Sequence, residues 1–134
     1  MINYKALIDS ALSARELSYS PYSGFKVGCA ILCPDGEIFQ GCNIENASYS
    51  ETVCAERVAL LKAVSQGKRS FKAIAVVGGK DEVCDFVYPC GPCRQALNEF
   101  CDEELEIVLF DGENVKSCTL GQLFPCSFSK KDIK

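Results

Sequence analysis

The sequence predicts an α/β fold: three α/β/α layers around a mixed sheet of about five strands. Two observations carry that expectation. Segments with a helical apolar repeat alternate with short apolar runs, in the order αββαβαββ followed by a short tail. The 134 residues, 48% apolar and 24% charged, have the size and balance of one soluble domain, residues 1–134, with one core. No repeat or linker divides them, and 10 Gly with 5 Pro is near average usage, so collagen-like and disordered readings fall away.

Tyr4, Leu7, Ile8, Ala11 and Leu12 recur at helical spacing, so the chain opens with an amphipathic helix that ends near Leu17, before the turn Ser20-Pro21-Tyr22-Ser23-Gly24. Phe25 to Cys33 is apolar at both parities and, across Pro34-Asp35-Gly36, pairs with Glu37 to Asn43 as a hairpin whose first strand is buried on both faces. Asn43 ends the second strand. Thr52 or Ser50 can cap a helix from about Val53 to Gln66, with Gly67 just past its end. The run Ala73 to Gly78 reads as a buried strand. Pro89 to Pro92 then lead into a third helix, in which Cys93, Ala96, Leu97, Phe100 and Cys101 share one face. Ile107 to Phe110 is another buried strand, and Asp111-Gly112 turns the chain into an edge strand at Val115 to Thr119. Leu120 to Phe128 forms a short apolar tail before a charged end.

Composition narrows the chemistry. Fourteen basic against eighteen acidic residues give a net charge of −4, and Lys68-Arg69 and Lys130-Lys131 are too sparse to form a basic patch, so no nucleic-acid partner is expected. The longest apolar runs, Val27 to Pro34 and Ala73 to Gly79, fall far short of the roughly 18 residues of a membrane span. Met1 to Lys5 run straight into an amphipathic pattern containing Asp9, unlike a signal peptide, so no membrane partner and a cytoplasmic location are expected. The absence of histidine removes every Ser-His-Asp and Cys-His arrangement and leaves acid/base work to carboxylates, Lys, Tyr, Cys or metal-bound water. Ten cysteines stand against that absence, and in a reducing compartment metal binding or simple burial explains them better than five disulfides.

Cys90-Gly91-Pro92-Cys93 is a C-x-x-C at a helix start, where the helix dipole favours thiolates. Alone it fits a redox pair, a structural zinc knuckle or two buried thiols equally well. Cys54, at the start of a different helix, supplies a third thiol, and three thiolates with one open corner suit a catalytic Zn²⁺. Such a centre carries a charge of −1, which weakens acidification of its water unless a cation offsets it. Arg57, about 60° around an ideal helix from Cys54, can reach the sulfurs, although it also reads as a solvated surface charge. Glu56 is the carboxylate next to a candidate ligand and the best acid/base candidate. Its position, about 200° from Cys54 on an ideal wheel, brings both to one pocket only if the first turn is irregular.

Cys54-Ala55-Glu56 with Pro89-Cys90-Gly91-Pro92-Cys93 resembles the signature of zinc-dependent cytidine deaminases. Ser20 to Gly28, Gly41 to Tyr49 and Leu123 to Phe128 extend the resemblance to the small homotetrameric members of that family over nearly the whole chain. The resemblance implies a cytidine-deaminase-like fold and conversion of cytidine and deoxycytidine to their uracil counterparts in pyrimidine salvage. One zinc per chain would sit on Cys54, Cys90 and Cys93, with Glu56 as proton shuttle and Arg57 hydrogen-bonded to ligand sulfurs. Asn43 and Glu45 match the pair that binds the ribose hydroxyls, although a turn-forming Asn and a solvated Glu read equally plainly. Phe25 matches an aromatic that stacks on the pyrimidine, and it also reads as a core residue. Ala47, Tyr49 and Phe128 match positions through which neighbouring subunits complete the site. Phe124 departs from the family's usual Leu, and Cys29, Cys33, Cys84 and Cys126 replace small or apolar residues, where all seven further cysteines are expected to fill the core. Two rivals remain: a deaminase of another cytosine compound such as blasticidin S, and a zinc- or thiol-binding protein without catalysis.

Overall fold

The computed structural model describes residues 1–133; Lys134, counted in the domain on sequence grounds, lies outside the described residues. Helix α1 (Tyr4–Arg15) precedes the hairpin β1 (Lys26–Leu32) and β2 (Ile38–Cys42). Helix α2 (Ala55–Ser65), strand β3 (Ala73–Gly79), helix α3 (Gly91–Phe100) and strands β4 (Glu106–Phe110) and β5 (Val115–Thr119) follow. The five strands form one mixed sheet in the order β2-β1-β3-β4-β5, with β5 at an edge as expected. Only β3 and β4 run parallel, and α3 makes the crossover that a parallel pair requires.

Alternation along the strands explains the three layers, because a period of two sends successive side chains to opposite faces. Cys29, Ile31, Ile74, Val76, Ile107 and Leu109 pack with Ala59, Leu60 and Ala63 of α2 and Leu97 of α3. Ala30, Ala75, Val77 and Val108 pack with Leu7, Ile8 and Ala11 of α1 on the other face. The sheet therefore separates two apolar clusters, where one core was expected. Small residues on the second face bring α1 close: a Cβ on Gly28 would lie 2.0 Å from the Ala11 carbonyl oxygen.

Three local expectations change. Helix α2 starts at Ala55 rather than Val53, and neither Thr52 nor Ser50 caps it. Val53 is held extended by two backbone bonds with Ile44, at 2.9 and 3.0 Å, while Ser50 lies in a single 3₁₀ turn, Tyr49–Glu51. Thr52 instead accepts from the Asn46 N–H at 3.1 Å. The tail is not irregular: helix α4 (Leu120–Leu123) forms on a capping box in which Thr119 and Gln122 bond each other's backbone N–H groups. Leu120 is buried in the chain's own core, and Leu123 and Phe124 pack against it. Among the further cysteines, Cys29 and Cys33 fill the core and Cys42, Cys101 and Cys118 are half-buried. Cys84 and Cys126 are exposed, contrary to core filling, because both sit in loops beyond the packed elements. Among the described residues no helix is long and apolar enough to cross a membrane.

Candidate active site

Two helix N-termini converge. Cys54 is the cap residue of α2 and Cys90 that of α3, neither side chain making a capping bond, and Cys93 stands in the first turn of α3. The extended Ile44–Val53 bridge delivers the chain to Cys54 with φ −71° and ψ 153°, outside the helix proper. Gly41 lets the first turn of α2 lie against β2, since a Cβ there would sit 2.4 Å from the Ala55 carbonyl oxygen and 2.5 Å from the Ala59 nitrogen. Pro92, in the first turn of α3, has a fixed φ suited to a helix start and lacks an N–H that would otherwise be unsatisfied there.

The three sulfurs lie within 4.8 Å of one another, with Cys54 to Cys90 at 3.6 Å and Cys90 to Cys93 at 3.2 Å. Zn–S bonds of about 2.3 Å at tetrahedral angles put sulfurs roughly 3.8 Å apart, so this donor set fits a zinc ion with little movement. Hydrogen bonding from Cys93 holds the Cys54 thiol down at about 5, with Arg57 and Cys90 adding to it against the opposing effect of burial. Cys93, as the donor to Cys54 and largely buried, is pushed up. A divalent cation that takes all three as thiolates displaces the protons these sulfurs still hold.

Arg57 Nη2 lies 3.5 Å from Cys54 Sγ, so the arginine faces the sulfurs rather than solvent. Its Nε is the one buried side-chain nitrogen or oxygen without a partner among the described residues, a donor still free to serve the cluster. Glu56 is 4% exposed. Because Cys54 precedes the regular helix, the ideal-wheel separation does not hold, and the Glu56 carboxyl interacts with Cys93 and with the Cys54 charge. Burial pushes that carboxyl up to about 7, where it can both accept and release a proton near neutral pH.

Asn43 and Glu45 lie just past β2 and are bound to the segment leading into β1. Asn43 is buried; its Oδ1 accepts from the Val27 N–H at 2.9 Å and from the Ser18 hydroxyl, and its Nδ2 donates to the Phe25 carbonyl at 2.7 Å. Glu45 Oε1 accepts from the N–H groups of Tyr22 and Ser23 at 2.9 and 3.2 Å, and Oε2 from the Ser23 hydroxyl. The Ser23 hydroxyl, with those amides, holds the Glu45 carboxyl below its ordinary value. One Nδ2–H and one Oε2 lone pair remain, a donor and an acceptor side by side in the chain. Ser18 and Ser23 orient this pair and were missed in the sequence, where Ser23 read as part of a turn and Ser18 carried no signal. Phe25 is half-buried against Gly78 rather than wholly in the core. Ala47, Tyr49 and Phe128 are exposed, and Tyr49 and Tyr22 meet edge to face, centroids 6.0 Å apart.

The family model described as the cytidine and deoxycytidylate deaminase zinc-binding region matches residues 1–109. A cytidine deaminase from Sporosarcina psychrophila is 47% identical over 98% of this chain and 96% of its own length. A blasticidin-S deaminase from Bacillus cereus is 34% identical over 78% of this chain and 77% of its own length. The crystal structure of cytidine deaminase from Burkholderia pseudomallei superposes with a TM-score of 0.88 and 45% identity, covering 95% of this chain and 100% of that one.

Proposed function

Because the chain belongs to the cytidine and deoxycytidylate deaminases that share this zinc-binding region, we propose that it hydrolyses cytidine and deoxycytidine to uridine and deoxyuridine with release of ammonia. One observation supports this above the others: three thiols from two helix starts lie within 4.8 Å of one another, beside a carboxyl that is 4% exposed. One zinc per chain, held by Cys54, Cys90 and Cys93, supplies the Lewis acidity that makes water nucleophilic near neutral pH.

Glu56 moves the protons. It takes one from the water whose oxygen bonds to C4, delivers it to N3, and then carries the proton of the new C4 hydroxyl to the amino group. The C4–N bond breaks, ammonia leaves and a C4 carbonyl remains. Arg57 offsets the residual −1 charge of three thiolates around a divalent cation. The free Nδ2–H of Asn43 and the Oε2 lone pair of Glu45 serve the ribose hydroxyls, and Phe25 stacks on the ring.

The whole chain, residues 1–134, acts as one domain in a homotetramer whose sites are completed by Ala47, Tyr49 and Phe128 of neighbouring subunits. Its substrate is a free nucleoside in cytoplasmic pyrimidine salvage, with no nucleic acid or membrane as partner. An ultraviolet assay of cytidine conversion, with and without a chelator, tests this; conversion that survives metal removal refutes it. The Bacillus cereus relative makes blasticidin S the competing substrate, and the Asn43–Glu45 pair argues for a diol. A substrate panel in which blasticidin S outruns cytidine would reverse that choice. A zinc-binding or thiol-buffering protein without catalysis predicts several metals per chain or metal-independent folding.

A further inference from the structure

Helix α3 carries Cys90 and Cys93 at its start, and its remaining polar side chains reach in another direction. Arg94 is half-buried, and its side chain runs back toward the helix N-terminus, as helical side chains do. Its Nε–H donates to the Pro89 carbonyl at 2.7 Å and its Nη1 donates to the Leu123 carbonyl at 2.6 Å. Neither acceptor has a helical partner. Pro89, itself buried, precedes the α3 cap, and Leu123 is the last residue of α4, where carbonyls are left over. Further along α3, Gln95 Nε2 and Asn98 Nδ2 donate to the Phe128 carbonyl at 3.0 and 3.2 Å, and Asn98 also bonds the Ser127 hydroxyl at 3.2 Å.

We propose that Arg94 is a positioning residue that locks the turn Pro89 to Cys93 and the C-terminal segment from Leu123 to Phe128 against one another. The guanidinium suits this role because it is planar and offers donors in divergent directions, whereas the single ammonium of lysine serves one carbonyl well. Removing the fork frees the carbonyl beside Cys90, which lets that ligand's backbone drift, and in the same step releases the end of α4. The proposal rests on Cys90 and Cys93 being zinc ligands.

The test compares zinc-loaded wild type with Arg94→Met, Arg94→Lys and Asn98→Ala. The readouts are zinc release to a chromogenic chelator, amide hydrogen exchange along the chain, and separate KM and kcat for cytidine. Arg94→Met is expected to release zinc about tenfold faster or more, the usual scale for losing a residue that orients a ligand, and to speed exchange over residues 120–129 while β3 is unchanged. Arg94→Lys, the milder variant should Arg94→Met fold poorly, falls between it and wild type. Asn98→Ala loosens residues 124–128 but leaves zinc release within about twofold, because it does not touch Pro89. Zinc release within twofold of wild type in both Arg94 variants overturns the inference, as does an exchange increase spread evenly over the sheet, which marks Arg94 as merely structural. Wild-type protein that holds no zinc overturns the metal assignment and this inference with it, whereas wild type with zinc and unaltered variants overturns the inference alone.

Discussion

Geometry sorts the ten cysteines before any metal arrives: among the described residues Cys54, Cys90 and Cys93 bring their sulfurs within 4.8 Å of one another, and Cys29 and Cys101 stand outside that group. Desolvation pushes the Cys29 thiol well up, with the Glu56 charge adding to it, and burial pushes Cys101 up to about 12, so both keep their protons. Cys54, by contrast, has its thiol held well down, by Cys93 and Arg57. Single Cys→Ser replacement across all ten positions is therefore expected to abolish zinc binding at Cys54, Cys90 and Cys93 and to leave near-full zinc elsewhere, counted by metal analysis; near-full loss from Cys29 or Cys101 sinks the assignment. Glu56→Gln keeps zinc and fold, since an amide can fill the buried space, but cannot shuttle a proton. Turnover should fall by roughly 10⁴-fold, the upper end for general acid/base catalysis, and a variant with a tenth of wild-type activity would place the shuttle elsewhere. The type and spacing of these residues were legible in the sequence. That Glu56 lies close enough to feel the Cys54 charge was not, because the irregular entry to α2 depends on the Ile44–Val53 bridge, a pairing across nine positions that no helical wheel contains.

Strands were easier to read than helix ends for a related reason. β1, β3 and β4 are covered on both faces, so each is a continuous apolar run whatever its neighbours, and the sequence placed them to within a residue or so. The start of α2 is fixed instead by contacts from β2 and the loop after it. Gly41 tests this at the scale of the element: Gly41→Ala puts a methyl within 2.4 Å of the Ala55 carbonyl oxygen and must push the helix off the strand. A loss of about 1–3 kcal/mol, the usual range for overpacking, is expected in denaturant unfolding, together with weaker zinc binding because Cys54 moves with the helix. Gly36→Ala is the control. Its φ of +93° in the hairpin turn makes a side chain costly, yet nothing lies within 4 Å of the added Cβ, so stability falls while zinc affinity holds. Equal zinc loss in both variants would mean that helix position does not govern the metal cluster. The short helix α4 shows the opposite failure: its Thr119 to Gln122 capping box was visible in the sequence, but four residues give no periodicity to notice.

An apolar tail so close to a charged end needs a surface to bury against, and a second chain could supply one. The fold divides that argument: Leu120, Leu123 and Phe124 find cover on their own core, whereas Phe128 remains 60% exposed and Tyr49 76% exposed. Tyr22 stands exposed against Tyr49, and Tyr19 and Ile44, joined to each other by a backbone bridge, are exposed as well, so apolar surface is left for a second chain to cover. Closed symmetry lets copies of one chain cover such patches reciprocally. Light scattering at micromolar protein is expected to give four times the chain mass, and a fully active monomer would defeat the assembly. Whether Phe128 acts on its own site or a neighbour's needs a different experiment. Phe128→Ala keeps the carbonyl that Gln95 and Asn98 hold, so zinc and tail position persist while KM rises about tenfold, the scale of one lost aromatic contact. Co-expressing Phe128→Ala chains with Glu56→Gln chains then separates the two geometries. If the ring acts in trans, some intact Glu56 sites face a neighbour's intact Phe128, and a component with wild-type KM reappears in the mixed assemblies. If it acts in cis, every site with Glu56 lacks the ring, and the kinetics show only the raised KM of the single variant.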